Sequence, residues 1–200
     1  AVVDLEGRPL AVHVPNSGRL TELLPPGAAV WIRRHDRPDE RKTAADLALA
    51  EFAGALVSVD ARLPNKLLAA ALRGKLLAPF AMYDAAQAEV VAGHSRLDFR
   101  LTAADPEAGE PCWVETKSVT LVEQAVALFP DAPTERGLRH VRELVGLRRS
   151  GAGRAAVVFV IQRGDAAALT PHPTAHPAFA AGLREARRAG VELYAWRCAV

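Results

Sequence analysis

The sequence predicts two consecutive domains, a small β barrel followed by an α/β domain. Short strand-like segments separated by turns that contain Gly or Pro fill residues 1–60, and strands at such close spacing are typical of a small barrel. The apolar run over residues 155–161 has no polar face, as expected of a central parallel strand. We therefore place a β domain over residues 1–60 and an α/β domain over residues 61–200.

Composition limits the kind of partner and the cellular location. Half of the 200 residues are hydrophobic, which is enough for each domain to bury a core. The formal net charge is only +2, so any affinity for nucleic acid must come from local basic clusters. Cys112 and Cys198 lack the spacing of zinc ligands or of a disulfide framework, which favours a reducing cytoplasm. No apolar run approaches the ~20 residues of a membrane span, so no membrane partner is expected.

The first domain carries a dense basic cluster after its strands. We expect strands over residues 2–5, 10–14 and 28–33, with a Pro-Asn-Ser-Gly loop before the third. Five basic residues then fall within ten positions: Arg33, Arg34, Arg37, Arg41 and Lys42. They could form a loop that contacts phosphate groups. Because acidic residues are interspersed at positions 36, 39 and 40, a self-paired, solvated hairpin tip fits equally well.

The second domain is predicted to begin with a helix and a hairpin. A helical pattern covers residues 63–77 and begins near Pro64. Strands over residues 88–92 and 95–101 follow, joined by Gly93 and His94, because Gly accepts the positive φ of a two-residue turn. Glu89 lies in the first of these strands and could face Asp98 in the second, or it could be an exposed strand residue.

Three charged residues on neighbouring strands form the candidate catalytic site. Side chains alternate along a strand, so Glu115 and Lys117 share one face of the strand over residues 112–118. Asp98 lies 17 positions before Glu115, which leaves room for a turn between paired strands. Two carboxylates can bind a hard divalent cation, and a lysine can stabilise a phosphate. A cross-strand salt bridge would use the same residues.

The remaining pattern completes an α/β unit. A helix over residues 134–149 is followed by the apolar strand, a right-handed crossover. Arg136 and Arg139 belong to a basic region that could contact DNA or could simply be a solvated helix face. Gln162 ends the strand at its carboxyl end, where it could orient water or substrate. Residues 170–177 read as a loop, and residues 177–189 and 191–196 as a final helix and strand.

Several motifs together resemble the sugar fermentation stimulation protein A (SfsA) family. The resemblance rests on five sequence motifs: SRLDF at 95–99, VETKSVTL at 114–121, FPDAPTERG at 129–137, PNSGRLTELL at 15–24 and LPN at 63–65. They are spread over nearly the whole chain. The family usually has an additional basic strand at its start, so we expect this sequence to be trimmed or partial at its beginning.

The resemblance implies an N-terminal OB-like β barrel and a C-terminal α/β domain similar to the PD-(D/E)xK nucleases. It assigns Asp98 and Glu115 to a Mg²⁺ or Mn²⁺ site and Lys117 to the motif lysine, with Arg19 as a further DNA contact. The implied function is largely nonspecific DNA binding, with a regulatory role in sugar metabolism. An active Mg²⁺-dependent DNA endonuclease is the first alternative. The second, of another class, is an oligosaccharide-binding or regulatory module.

Overall fold

The computed structural model describes residues 1–36, 40–105, 107 and 109–199 of the chain. Within these ranges, the first domain contains five strands in two sheets. They are β1 (Val2–Leu5), β2 (Arg8–Ala11), β3 (Val30–Arg34), β4 (Ala45–Phe52) and β5 (Ala55–Ser58). β1 and β2 form a hairpin, and β3, β4 and β5 form an antiparallel sheet with β4 in the centre.

The two sheets of the first domain are joined into one barrel through His13. The His13 N–H donates to the Ala45 carbonyl at 2.9 Å, and the Leu47 N–H donates to the His13 carbonyl at 2.8 Å. These bonds attach the segment after β2 to the first residues of β4, Ala45 to Leu47. The interior is filled by aliphatic side chains, among them Leu23 and Val57, which are fully buried. The barrel therefore has its own core.

The second domain is built on a five-stranded mixed sheet in the order β13-β11-β8-β7-β6. Its helices are α1 (Leu63–Arg73), α2 (Glu135–Arg149) and α3 (Pro177–Arg188), with a short 3₁₀ turn, Ala78–Phe80, after α1. Its strands are β6 (Ala85–Ala92), β7 (Ser95–Thr102), β8 (Cys112–Val119), β9 (Val122–Glu123), β10 (Val126–Phe129), β11 (Arg154–Ile161), β12 (Ala168–Pro171) and β13 (Glu192–Arg197). β9, β10 and β12 form a separate small sheet.

β11 lies at the centre of this domain, between two parallel neighbours, β8 and β13. Its alternate side chains enter two different cores. Val157 and Phe159 pack with α2 and α3, whereas Ala156 and Val158 pack on the α1 side. The prediction of a strand that is apolar on both faces is confirmed, because each face of the sheet is covered by helices.

Two local predictions differ from the structure, and a third agrees with it. Helix α1 ends at Arg73 rather than at residue 77, since Lys75 adopts a positive φ of 51° that a helix cannot continue through. Residues 170 and 171 belong to β12 rather than to a loop, because they pair in parallel with β10. Pro171 is tolerated there because β12 is an edge strand of its sheet. The hairpin turn at Gly93 is as predicted, with a φ of 56°.

Backbone pairing and a buried arginine join the two domains. The Ser58 N–H donates to the Gln162 carbonyl at 3.1 Å, and Val57 forms an isolated antiparallel bridge with Arg163. Arg163 is 1% exposed and donates to the Thr120 carbonyl at 3.1 Å. Its guanidinium also lies 5.2 Å from the ring centroid of Phe52 in the barrel. The junction is thus a continuation of the two sheets, not a flexible linker.

None of the helices in the described part of the chain has both the length and the apolar character needed to cross a membrane.

Candidate metal centre

The candidate site lies where β7 and β8 separate. Their backbone pairing runs from Leu101–Cys112 to Phe99–Val114, and the next pair in this register would be Asp98 and Glu115. At that point the Thr116 N–H donates to the Asp98 side chain, to Oδ2 at 2.7 Å. A side-chain carboxylate thus replaces a main-chain acceptor, and the two acidic residues lie at the opening between the strands.

Asp98 is held by two neutral donors. Besides the Thr116 N–H, the side-chain amide of Asn65 at the start of α1 donates to its Oδ1 at 2.7 Å. Burial raises the pKa of Asp98, and the negative charge of Glu115 raises it further, more than these two hydrogen bonds lower it. The ionised carboxylate therefore lacks a sufficient positive charge nearby, and a bound cation would stabilise it.

The two carboxylate oxygens of Glu115 differ in the hydrogen bonds that they accept from described residues. The Lys117 ammonium donates to its Oε1 at 2.5 Å, and His140 Nδ1 hydrogen-bonds to the same atom. Its Oε2 is buried and has no hydrogen-bond partner among the residues that the structure describes. Burial by itself would raise the pKa of Glu115, but the His140 hydrogen bond and the Lys117 charge outweigh burial and lower it. Glu115 is therefore ionised with an acceptor atom still available, which is costly unless something binds there.

His140 and Asn65 are site residues that sequence reasoning missed. A carboxylate oxygen only accepts, so His140 carries its proton on Nδ1, and its Nε2 accepts from Arg136 Nε at 3.4 Å. The available signal was the position of His140 on the buried face of α2, one turn before Leu144. Asn65 contacts Asp98 from the first helix of the second domain, α1.

The residues present fit a hard divalent cation. The candidate ligands are carboxylate oxygens. The buried Oε2 of Glu115, which no described residue contacts by a hydrogen bond, is an atom that a cation would satisfy. Across the described ranges, no group of three or more His, Cys, Asp or Glu side chains is arranged to hold a metal. The protein would thus supply two carboxylates and leave the other positions to water and substrate, which is how Mg²⁺ is usually bound.

The structure does not bring Glu89 into this site. Its side chain is 63% exposed and lies 3.7 Å from Arg96, because Glu89 adopts a positive φ of 54° that interrupts the pairing of β6 with β7. Gln162 lies at the carboxyl end of β11, as predicted. Its amide donates to Ser118 Oγ at 2.7 Å, next to Lys117, so it supports β8 rather than contacting the carboxylates.

The predicted DNA-binding residues fall in three places. Arg33, Arg34 and Arg41 line one cavity of about 550 Å³, and Lys42 lines an adjoining one. The predicted contacts on α2, Arg136 and Arg139, are both exposed. The third place is Arg19, which lies 4.0 Å from Glu22. Arg37 lies outside the described residues.

Two of the sequence motifs face each other beside Lys117. Residues 16–18 and 129–134 line an interdomain cavity of about 310 Å³, with Lys117 and Ser118 on its wall. Gly18 lies close to Asp131, since a Cβ there would be 2.7 Å from Asp131 Oδ2 and the Asp131 side chain would have to move. The cavity gives Lys117 access to solvent.

Comparisons with known proteins agree with this architecture. The family model of the SfsA N-terminal OB domain matches residues 1–59, and that of the sugar fermentation stimulation protein RE domain matches residues 62–200. A sugar fermentation stimulation protein homolog from Moorella thermoacetica is 51% identical over 193 residues, covering 96% of this chain and 82% of the relative. A Chloroflexus aurantiacus homolog is 47% identical over 194 residues, covering 97% and 73%.

A solved structure is also similar. The structure of Pyrococcus furiosus SfsA in complex with Ca²⁺ matches with a TM-score of 0.89 and 31% sequence identity, covering 98% of this chain and 81% of that one. The predicted fold class, an OB-like barrel followed by a restriction-endonuclease-like α/β domain, is confirmed by these matches.

Proposed function

The chain belongs to the SfsA family, and on this basis we propose that it binds DNA with little sequence preference and holds a divalent cation at Asp98 and Glu115. The observation that carries the proposal is the opening between β7 and β8. A half-buried carboxylate, Asp98, and a buried one, Glu115, converge there next to a lysine. The pKa of the first is raised, and the second has an oxygen without a partner among the described residues. This is the donor set for binding a cation and a phosphate together.

The nature of the cation follows from the donors. Oxygen ligands favour Mg²⁺, Mn²⁺ or Ca²⁺ over softer metals. The Pyrococcus furiosus relative is described in complex with Ca²⁺, which supports a divalent ion in this chain too. We propose Mg²⁺ or Mn²⁺ as the working ion. When bound, such an ion supplies a Lewis acid for a phosphoryl oxygen and lowers the pKa of a bound water.

The side chains of the site have distinct roles under this proposal. Asp98 and Glu115 are the ligands, and Asn65 and His140 fix their orientations through the hydrogen bonds already described. The Lys117 ammonium is only 11% exposed, so its charge is weakly screened and would stabilise negative charge developing on a phosphate. Arg136 hydrogen-bonds to His140, so it supports the site even where it makes no contact with DNA.

A Mg²⁺-dependent endonuclease is the second candidate function. It is favoured by the position of Lys117, which lies beside a carboxylate and lines the open interdomain cavity. The two candidate functions differ only in whether the bound DNA is cleaved. In both cases the protein binds DNA through its basic surfaces, and log affinity falls linearly with log salt.

One experiment tests both candidates. Labelled single-stranded and duplex DNA of unrelated sequences are incubated with pure protein, with and without Mg²⁺ or Mn²⁺, over a salt series. We expect binding to all sequences, and cleavage only with the metal. Arg139→Ala and Arg41→Ala should each lower the salt slope by ~0.7 for single strands or ~0.9 for duplex.

The controls separate the roles of these residues. Arg73→Ala, at the far end of α1, should leave the slope unchanged. If cleavage is seen, Lys117→Ala should abolish it and Lys75→Ala should not, because Lys75 is an exposed lysine paired with Asp84. DNA binding confined to one sequence, or an affinity independent of salt, would contradict the proposed function.

A further inference from the structure

The outer face of β3 presents an aromatic ring beside an arginine. Val30 and Ile32 pack on the barrel core, so Trp31 and Arg33 point outward from the same strand. Trp31 is 43% exposed, and no ring or cation–π contact within the described residues uses its indole. Alternate residues of a strand are about 6.6 Å apart, so Trp31 and Arg33 are neighbouring positions on the outward face of β3.

The cavity of about 550 Å³ continues from this face. Its lining is mainly basic and consists of Arg33, Arg34, His35, Asp36, Glu40, Arg41, Asp46, Arg62 and Lys66. Arg34, Arg41 and Lys66 make no hydrogen bond or ion pair with any described part of the chain. Their charges are thus available to an external anion.

Two further cations are held in place by buried acids. Asp46, whose side chain is 3% exposed, accepts from Arg62 Nη2 at 2.8 Å and from Arg33 Nη2 at 3.3 Å. Asp60 accepts from Arg62 Nε at 2.8 Å. These contacts fix both guanidinium groups and leave Arg62 Nη1 free among the described residues. Such preorganisation lowers the entropy that binding a phosphate would cost.

The cavity and the metal centre share the first turn of α1. Lys66 lines the cavity, whereas its neighbour Asn65 donates to the metal-site residue Asp98. Consecutive Cα atoms are only 3.8 Å apart, so the two sites are adjacent. A single strand of nucleic acid whose phosphate backbone lies in the cavity would therefore be directed toward the candidate metal centre.

We propose that β3 and this cavity form a binding site for single-stranded nucleic acid, in which a base stacks on Trp31 and the adjoining phosphates lie among Arg33, Arg34, Arg41, Arg62 and Lys66. The inference rests on the proposed function. It adds a preference for single-stranded over duplex nucleic acid and the route that the bound strand takes over the protein surface. A single strand is the occupant because an indole can stack only on an exposed base face. In a duplex, that face is covered by the neighbouring base pair.

The test compares binding of a labelled oligothymidylate with binding of a duplex of equal length, in EDTA to prevent cleavage. Trp31→Ala should weaken binding of the single strand by roughly 5- to 150-fold, the range for losing one stacked base, and should change duplex binding little. Val91→Ala, an exposed apolar residue on β6, is the matched control. Indole fluorescence should fall when the oligonucleotide is added to the parent protein, and this change should be largely lost in Trp31→Phe.

The phosphate part of the site is tested separately. Lys66→Ala should lower the salt slope for the single strand by ~0.7, whereas Arg73→Ala on the same helix should not. The inference is overturned if Trp31→Ala binds the single strand as tightly as the parent does. It is also overturned if this variant loses the same factor of affinity for the single strand and for the duplex. Parent protein that binds only duplex would also overturn it and leave the proposed function standing. Binding of neither DNA would overturn both.

Discussion

Two buried carboxylate centres in this molecule differ in how completely their oxygens are paired. In the barrel, Asp46 Oδ1 hydrogen-bonds to His13 at 3.0 Å and lies 3.4 Å from His35 Nε2, and its Oδ2 accepts from Arg33 and Arg62. In the second domain, and within the described part of the chain, Glu115 Oε1 has two partners and Oε2 has none. The first centre is complete without a ligand, and the second is not.

The pKa shifts express the same contrast. Burial would raise the pKa of Asp46, but hydrogen bonds from Arg62 and His13 and the charge of Arg62 hold it well below its usual range. The pKa of Asp98 is raised, since burial and the charge of Glu115 prevail. A carboxylate surrounded by cations fixes those cations in position, whereas an under-compensated pair of carboxylates favours the arrival of a new cation.

The largest expected effect is a loss of folding stability when the Asp46 centre is disrupted. Asp46→Asn should lower the free energy of unfolding by about 3 kcal/mol, because the buried Asp46 carboxylate is the shared acceptor of Arg33, Arg62 and His13, and a neutral amide cannot replace its charge. We take the lower end of the known range since Arg33 and Arg62 can turn toward solvent. Urea denaturation measures the change. The matched variant Asp36→Asn, at an exposed acid of the same cavity, should stay within about 0.5 kcal/mol of the parent.

The incomplete centre should respond to metal instead. At a Mn²⁺ concentration about a hundredfold above Kd, the protein should gain about 2.7 kcal/mol, which corresponds to a melting temperature roughly 5–10 °C higher. Asp98→Asn should remove this response. Asp105→Asn, in the loop between β7 and β8, should retain it. The same metal response in all three proteins would show that the ion binds elsewhere.

The two centres should also differ in their dependence on pH. The pKa of Asp46 is lower in the folded protein than the ~3.9 of an unfolded chain. Its stabilising contribution is therefore fully present above pH ~4 and is lost as the pH falls further. Asp98, with a raised pKa, acts in the opposite direction. Urea midpoints measured between pH 3 and 6 should fall toward acid less steeply in Asp46→Asn than in the parent.

The smallest effect is expected for a single exposed partner of Asp46. The Arg33 side chain is 58% exposed, so its ion pair is well screened, and Arg33→Ala should cost about 0.5 kcal/mol. Arg62→Ala should cost more, since Arg62 also binds Asp60. Equal costs in urea denaturation would show that the two arginines are interchangeable at this centre.

Local periodicity was sufficient to predict part of the metal centre. Glu115 and Lys117 share a face because strands alternate, and their hydrogen bond in the structure agrees with that expectation. The neighbours of Asp98 could not be predicted in the same way. Asn65 and His140 come from helices 33 and 25 residues away from their partners, and only tertiary packing brings them together.

The Asp46 centre was invisible in the sequence for the same reason. Its four partners come from three separate segments, at residue 13, residues 33–35 and residue 62, and a lone aspartate in a strand pattern gives no signal of burial. The end of α1 was mispredicted because Lys75 is not a residue type expected at positive φ. The folds of both domains, in contrast, follow from hydrophobic patterning and from the family motifs.

The junction between the domains also determines how the protein unfolds. Because the Ser58–Gln162 hydrogen bond and the Val57–Arg163 bridge continue the sheets across the boundary, neither domain can open there without exposing Arg163, which is 1% exposed. The barrel and the larger domain should therefore melt as one cooperative unit. Calorimetry should show a single transition whose van't Hoff enthalpy equals the total heat absorbed.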